Sequence, residues 1–311
     1  MTVLVLTSEE DVTADMVINC LVKLAVPVMR VDPEHFPGRV DLAARVTAGG
    51  ELSGRITTDR RSVELTDIRS IWRRRPGPPG HLATEQRPWV SLECERALYG
   101  VLRGLPAPWM NHPGAIERSH YKAWQLQLAR SVGLRTPDTL FTTVPADAER
   151  FAADAGPLIV KSVSGRHPED PPMTLQTHRV PPGASFAGIA DSATCLQSEI
   201  TKHHDVRLTV VGDQMFPCHI RPRSDAVDWR FEPESECSWR ISDIPQNVEQ
   251  AVRRYMTAAG LVYAAFDFAV DHGGRYWFLE ANANGQFGFI ELQTGAQISQ
   301  SIAAWLASPP T

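Results

Sequence analysis

Cysteine is scarce, long apolar runs are missing, and neither sign of charge dominates. The five cysteines stand at 20, 94, 195, 218 and 237, an odd number, widely scattered and never in a C-x-x-C pattern. That argues against a disulfide scaffold and against a thiolate zinc site. They read as small buried hydrophobes in a reducing cytosol. No apolar run approaches the roughly 18 residues that span a bilayer. The opening Met1-Thr-Val-Leu-Val-Leu-Thr-Ser-Glu-Glu lacks a basic region and turns acidic by Glu9, which argues against a signal peptide. A cytoplasmic protein without a membrane partner is expected. Lys and Arg number 31 against 36 Asp and Glu, a net charge of −5. A mildly acidic chain is a poor general nucleic-acid binder, so no nucleic-acid partner is expected. Internal repeats, low-complexity blocks and the G-x-x-x-x-G-K-[ST] phosphate loop are also absent. What is present suffices for a core: 311 residues, 43% of them hydrophobic, or two units at about 150 residues per domain.

The first third reads as strand, helix, strand. Val3 to Leu6 is a short apolar run. A helix start follows at Ser8-Glu-Glu-Asp11, with Val12, Met16, Cys20 and Leu24 as its apolar stripe, joined by Val17 and Leu21. Pro27 stops the helix, and Val28 to Val31 is the second strand. This βαβ opening predicts a parallel sheet. Ile68 to Trp72 is a further strand, Pro76 to Gly80 a loop, and 84–102 a helix. Leu105 to Gly114 reads as a boundary between units. A helix from Ile116 to Val132 follows, with Tyr121, Trp124, Leu128 and Val132 as its core stripe and Gly133 at its end. Strands are expected at Leu158–Lys161, Leu196–Ile200, Val206–Val211 and Gln214–His219, the last two joined by Gly212-Asp213. The stretch from Gly165 to Pro182 reads as a mobile loop. Ile298, Ile302, Trp305 and Leu306 mark the buried side of a closing helix.

Three patterns carry chemistry. The first is a hairpin of 262–271 and 275–282. If Gly273 and Gly274 form a two-residue turn, residue 272 faces 275 and Asp267 faces Glu280. Their Cβ atoms would then be about 5 Å apart, with Asn282 on the same face. Facing carboxylates repel, and a divalent cation between them removes that cost. Oxygen-only ligands favour Mg²⁺ over zinc. A solvated outer face on which the two charges coexist is the other possibility, and geometry alone leaves both open. The second pattern is Leu158-Ile-Val-Lys161-Ser-Val-Ser-Gly165, a lysine ending an apolar strand before a small, hydroxyl-rich loop. Such a loop can approach phosphates, although a lysine snorkelling from a strand end has the same signature. The third is Gln197-Ser-Glu199-Ile200 followed by Asp205-Val-Arg207. Glu199 could accept from an adenine amino group, the backbone at Ile200 could read the ring edge, and Arg207 could clamp an anion. An Asp205–Arg207 surface pair is the plainer alternative.

These residues, with Asn111-x-Pro113, Lys122, Ala129-x-x-x-Gly133-Leu-x-x-Pro137-x-Thr139 and Glu280-x-Asn282 in the same order, resemble the ATP-grasp ligases over roughly 111–300. The segments Ile71-Trp-Arg-Arg-Arg-Pro76, a helix carrying Glu95, Trp109-Met-Asn-His-Pro113, Asp228-Trp-Arg230 and Glu280-Ala-Asn-x-Asn-Gly-Gln286 resemble, more narrowly, the ATP-grasp ribosomal peptide maturases of the graspetide, microviridin-type kind. Asn284 departs from the proline that many ATP-grasp ligases carry there. The resemblance implies an α/β (α+β) ATP-grasp fold in three segments. These are an N-terminal pre-ATP-grasp domain (1–110), a central subdomain with a lid loop (111–195) and a C-terminal subdomain with the metal hairpin (196–311). It implies ATP and Mg²⁺ as cofactors. Lys122 and Lys161 would sit on the nucleotide phosphates, Glu199 and Ile200 at the adenine edge, and Asp205 by the ribose or hinge. Arg207 and Arg230 would act catalytically on the γ-phosphate and acyl phosphate, and Asp267, Glu280 and Asn282 would hold the metal. The implied substrate is a precursor peptide, a leader plus a core rich in Thr, Ser, Asp and Glu, closed into ester or amide rings; a homodimer is a compatible assembly. A basic rim for that core would draw on Arg166, His167, Lys202, His203, His204, Arg207, Arg221, Arg223 and Arg230. A small-substrate ligase of the glutathione-synthetase kind and a nucleotide-binding module without chemistry are the rival readings.

Overall fold

The computed structural model describes residues 1–80, 88–164 and 176–310. The chain runs β1 (Thr2–Leu6), α1 (Val12–Lys23), β2 (Val28–Val31), β3 (Val40–Val46), β4 (Leu52–Thr58), β5 (Ser62–Glu64), β6 (Ile68–Arg73) and α2 (Pro88–Arg103). Then come α3 (Pro113–Arg118), α4 (Lys122–Ser131), β7 (Thr139–Thr142), α5 (Pro145–Ala155), β8 (Leu158–Lys161), β9 (His178–Arg179), β10 (Thr194–Ser198), β11 (Lys202–Val211), β12 (Gln214–Pro222) and β13 (Cys237–Ile241). It closes with α6 (Gln246–Ala259), β14 (Tyr263–Asp271), β15 (Tyr276–Asn282), α7 (Gly288–Thr294) and α8 (Ile298–Ala307). Among the described residues no helix is long and apolar enough to cross a membrane. Contacts divide the chain into two compact units, Met1–Pro113 with Gln286–Thr311, and Gly114–Gly285.

In the first unit, β1 lies parallel between β2 and β6. Val3 to Leu6 are buried, as a central strand covered on both faces requires. The expected stripe of α1 holds along its middle and fails at its ends. Asp11 caps the helix, its Oδ1 accepting from the Thr13 and Ala14 amides. That starts the helix at Val12, which is exposed, as is Leu24 beyond its end. Of the expected stripe Val17 and Leu21 are buried and Met16 and Cys20 half-buried, and Thr13 and Ala14 join them on the inward side. A second, antiparallel sheet, β3-β4-β5, lies outside every strand expected from the sequence. Its strands carry charged residues such as Asp41, Arg45 and Arg55 and leave much of their surface in water, so no clean alternation marks them. The expected start of the 84–102 helix lies outside the described residues; its end holds at Arg103. The C-terminal segment groups with the N-terminal residues rather than with the hairpin before it. Ile298, Ile302 and Leu306 are buried on α8, which packs on α1 and β6, and Ser70 Oγ donates to the Leu306 carbonyl at 2.7 Å.

In the second unit, the single helix expected over 116–132 is two, α3 and α4, broken at Ser119–Tyr121. The most buried positions of α4 are Gln125 and Ala129, whereas Tyr121 is exposed and Trp124, Leu128 and Val132 are half-buried. One sheet has the order β7-β10-β8-β9 and the other β13-β12-β11-β14-β15. The second sheet is amphipathic with period two. Val206, Leu208, Val210, Phe266, Phe268 and Phe278 form a core with α6, while Asp205, Arg207 and Asp267 occupy the opposite face.

Candidate functional site

Asp267 faces Glu280 across β14 and β15, as expected, but by a different route. Val270 pairs with Tyr276, and the turn spans 271–275, closed by Asp271 N to Arg275 O at 3.1 Å. That register is one residue off the two-residue turn. A bulge at Leu279, opposite the step from Asp267 to Phe268, restores it. Asp271 braces the turn: its carboxylate accepts from Gly273 N, Arg275 N and Nε, and Trp277 Nε1 at 2.7–3.0 Å. These donors hold it well below the usual carboxylate range, against the opposing effect of burial.

Cations surround the facing carboxylates. Arg207, opposite Asp267 on β11, donates from Nη1 to both Asp267 oxygens at 2.8 and 2.7 Å. Arg230 Nη1 lies 3.5 Å and Lys122 Nζ 3.8 Å from the Glu280 carboxylate. Lys122 also donates to the Ser162 carbonyl at 2.9 Å, on the loop after Lys161. Asp267 is therefore not on a solvated face; it is buried against a guanidinium. Desolvation raises the pKa of Asp267, with the Glu280 charge adding and Arg207 opposing. For Glu280, desolvation acts the same way, but Lys122, Arg230, Lys161 and Arg207 outweigh it and pull its pKa down. Lys161 is pushed down by desolvation and by the like charges of Lys122 and Arg230, while Glu280 supports its ammonium form. Lys122, Lys161, Arg207, Arg230, Asp267 and Glu280 thus form one electrostatic cluster.

Several residues outside the expected site set position this cluster. Asp228 holds Arg230 in a two-pronged grip, Nε to Oδ1 and Nη2 to Oδ2, both 2.8 Å. This grip raises the Arg230 pKa and fixes its fork toward Glu280. Gln125 is buried on α4, one turn from Lys122. Its Oε1 accepts from the Ala281 amide at 2.8 Å and its Nε2 donates to Ser119 O at 2.5 Å. It therefore caps the outer edge of β15 beside Glu280. Gly285 is obligatory: a Cβ there would lie 2.4 Å from Ala265 Cβ and 2.9 Å from Arg207 Nη2. Asp228 and Gly285 stand in the motifs Asp228-Trp-Arg230 and Glu280-Ala-Asn-x-Asn-Gly-Gln286 without an assigned role, and the signal for Gln125 was a polar residue on an otherwise apolar helix stripe.

The remaining expected residues are distributed around the cluster. Asp205 and Arg207 do not pair with each other. Asp205 is buried with Lys202 Nζ 2.6 Å from its Oδ2, and its pKa is raised to about 6 by desolvation, which Lys202 opposes. Glu199 directly follows β10, an interior strand of the other sheet, and accepts from Arg179 Nε at 2.8 Å; Ile200 beside it is half-buried. Asn282 is exposed, two residues beyond Glu280, and its Oδ1 accepts from Asn284 N at 2.9 Å. Asp267, Glu280 and Asn282 are an all-oxygen set of the kind Mg²⁺ takes, with water and phosphate oxygens completing it. Among the described residues no three His, Cys, Asp or Glu side chains converge on one metal position. Of the expected rim, Lys202, His203, Arg221 and Arg223 line one cavity of about 620 Å³, which His272 joins. His204 instead stacks on His219. Arg166, His167 and most of the expected lid lie outside the described residues.

Comparison with known proteins places the fold. Residues 2–117 match a family model described as the MvdD pre-ATP grasp domain. No curated protein matches the chain in sequence. The structure is similar to a RiPP-associated ATP-grasp ligase of Chryseobacterium gregarium, solved with ADP and a leader and core peptide. The TM-score is 0.90 at 24% identity, over 100% of this chain and 97% of that one. It is similar to the macrocyclase MdnC of Microcystis aeruginosa MRC bound with precursor peptide MdnA, with TM-score 0.85 and 28% identity over 98% and 99% of the chains. The macrocyclase MdnB of the same organism gives 0.78 and 29% over 98% of each. The mixed helix-and-sheet architecture expected from the sequence is thus the ATP-grasp fold of RiPP-associated ligases, along the whole chain.

Proposed function

We propose that this chain is an ATP-dependent ligase that closes side-chain ester or amide macrocycles in a ribosomally made precursor peptide. One observation carries the reading: the match over 98% of this chain, at 28% identity, to a macrocyclase solved with its precursor peptide. The charge cluster supports it, since it presents fixed cations where a carboxylate must meet a triphosphate.

In this reading Lys122 and Lys161 bind the phosphates. Glu199 and Ile200 hold the adenine edge, where Arg179 shares the Glu199 carboxylate, and Asp205 lies by the ribose or hinge. Asp267, Glu280 and Asn282 hold Mg²⁺, which when bound offsets phosphate charge and orients the γ-phosphoryl group. Arg207 and Arg230 stabilise the transferring phosphoryl group and the acyl phosphate. A peptide carboxylate oxygen forms a bond to the γ-phosphorus and the bond to the ADP oxygen breaks. A peptide hydroxyl or amine then adds to the acyl carbon, phosphate leaves, and the nucleophile's proton is released. The cavity lined by Lys202, His203, Arg221 and Arg223 suits an acidic core segment, and the reaction belongs in the cytoplasm. The small-substrate alternative has no such support: the structural match to a D-cycloserine synthetase is at 12% identity and TM-score 0.60, a likeness of fold.

The test is incubation with ATP, Mg²⁺ and a short Thr/Ser- and Asp/Glu-rich peptide encoded beside this chain. The expected result is peptide-dependent ADP formation with loss of one water from the peptide per ring, read by mass spectrometry. ADP release with no change in peptide mass would sink the proposal.

A further inference from the structure

We propose that His204 is a positioning residue: its ring, held between His203 and His219, fixes the bulge that sets Lys202 against Asp205. Lys202 and Asp205 are three residues apart on β11, so in a regular strand they would point to opposite faces. The pairing shows why they meet. Lys202 lies opposite Asp271 and His204 opposite Val270, so His203 is an extra residue in the ladder. The bulge shifts the alternation by one and brings Lys202 to the face of Asp205, where Nζ reaches Oδ2 at 2.6 Å and the Val227 carbonyl at 2.8 Å.

The histidines brace this bulge from the opposite side. His204 uses both ring nitrogens, Nδ1 toward His203 Nδ1 at 2.9 Å and Nε2 toward His219 Nδ1 at 3.0 Å. It also stacks on His219, centroids 4.9 Å apart and 21° from parallel, and His203 packs edge-on against His272. Because the two contacts use different nitrogens of His204, the three rings form a chain rather than donors converging on one metal ion. An N–H···N bond holds one proton, so a neutral His204 donates at one end and accepts at the other. The groups facing it favour that neutral form. Burial comes first, followed by His219, His203, Arg221 and Arg240, and together they lower its pKa to about 4. A substitution at His204 therefore changes no charge near neutrality. An effect on Asp205 that vanishes once Lys202 is removed therefore travels through the position of Lys202 rather than through the burial of Asp205. The charged groups that act on Asp205 itself are Lys202, Asp267 and Asp228.

The inference rests on the reading that Asp205 serves the ATP-dependent site, but its test does not need activity. The Asp205 carboxyl is titrated by ¹³C NMR in the full chain and in His204→Ala, His204→Gln, Lys202→Met and the His204→Ala/Lys202→Met double variant. His204→Ala should raise the Asp205 midpoint by about one pH unit. His204→Gln, which keeps one donor and one acceptor, should restore it. Lys202→Met should raise it at least as far as His204→Ala, and the double variant no further than Lys202→Met alone. His219→Phe, which keeps the stacked ring and removes its nitrogens, should move the midpoint the same way and serves if the alanine variant fails to fold. An unmoved midpoint in His204→Ala or His219→Phe, or additive shifts in the double variant, would overturn the proposal. Absence of peptide modification by the wild-type chain would strike the proposed function alone.

Discussion

The two faces of the five-stranded sheet are made by the same strands and stabilised by opposite physics. On one face Phe266, Phe268 and Phe278 pack edge-to-face and stacked, with centroids 6.0–6.2 Å apart, and removal from water supplies the stability. On the other, Arg207 and Asp267 are buried as an ion pair and Glu280 is half-buried beside them. Such a face adds little net stability, because desolvation offsets the attraction between the ions. The hydrophobic face makes the scaffold affordable and the charged one makes it useful.

The largest expected effect separates the two faces outright. Glu280→Gln should abolish peptide modification at saturating Mg²⁺ while leaving the melting temperature close to wild type; normal turnover would remove Glu280 from the metal site. Phe266→Ala should do the reverse. It should lose about 3–5 kcal/mol by chemical denaturation yet keep its turnover per folded molecule at low temperature. Arg207→Ala should fail on both counts. It leaves Asp267 buried without its cation, at a cost of about 3–5 kcal/mol, and the paired change Arg207→Met/Asp267→Leu should recover stability without activity. If the double variant is as unstable as the single, the charged face is a stabilising element and the comparison fails. Gly285→Ala should cost about 1–3 kcal/mol through overpacking and lower turnover, because the added methyl must displace Ala265 or Arg207. The smallest effect is a pH signature. Asp205 has its pKa raised in the folded state to about 6, so the folded chain binds more protons than the unfolded one between about pH 4 and 6. Its contribution is complete below the unfolded value and is lost as pH rises through 6. Compared with Asp205→Asn, wild type should gain stability between pH 7 and 5 while losing activity over the same range. Parallel pH profiles for the two proteins would show that Asp205 does not titrate there.

Legibility in the sequence followed the same division. The ATP-grasp fold was legible through the family resemblance of the ordered motifs, and the Asp267–Glu280 pair through the turn arithmetic, but the pair was reached through two compensating differences, a longer turn and a bulge. Neither leaves a residue-type mark, because Leu279 is an ordinary strand residue. Helix phase held for the middle of α1, at Val17 and Leu21, but not for its ends at Val12 and Leu24, and it failed for α4, whose buried centre is the polar Gln125. Lys122 is a helix-surface lysine by pattern and was visible through resemblance alone. Lys202 could not be assigned to Asp205 because residues three apart in a strand point away from each other unless a bulge intervenes. The sheet of β3 to β5 was missed because water covers much of it.

The bulge at Leu279 has a consequence for chain length. Two residues, Leu279 and Glu280, share the place opposite Asp267, so removing Leu279 would regularise the ladder and still leave glutamate facing aspartate. The number of residues between the turn and the glutamate is therefore free to drift by one among related hairpins. The spacing from Glu280 to Asn282 lies beyond the bulge in regular pairing, Asn282 opposite Ala265, and a single insertion there would turn the asparagine to the phenylalanine side. Aligners that place a gap in this hairpin should place it before the glutamate, and a deletion library across 276–284 should survive at position 279 and die at 281.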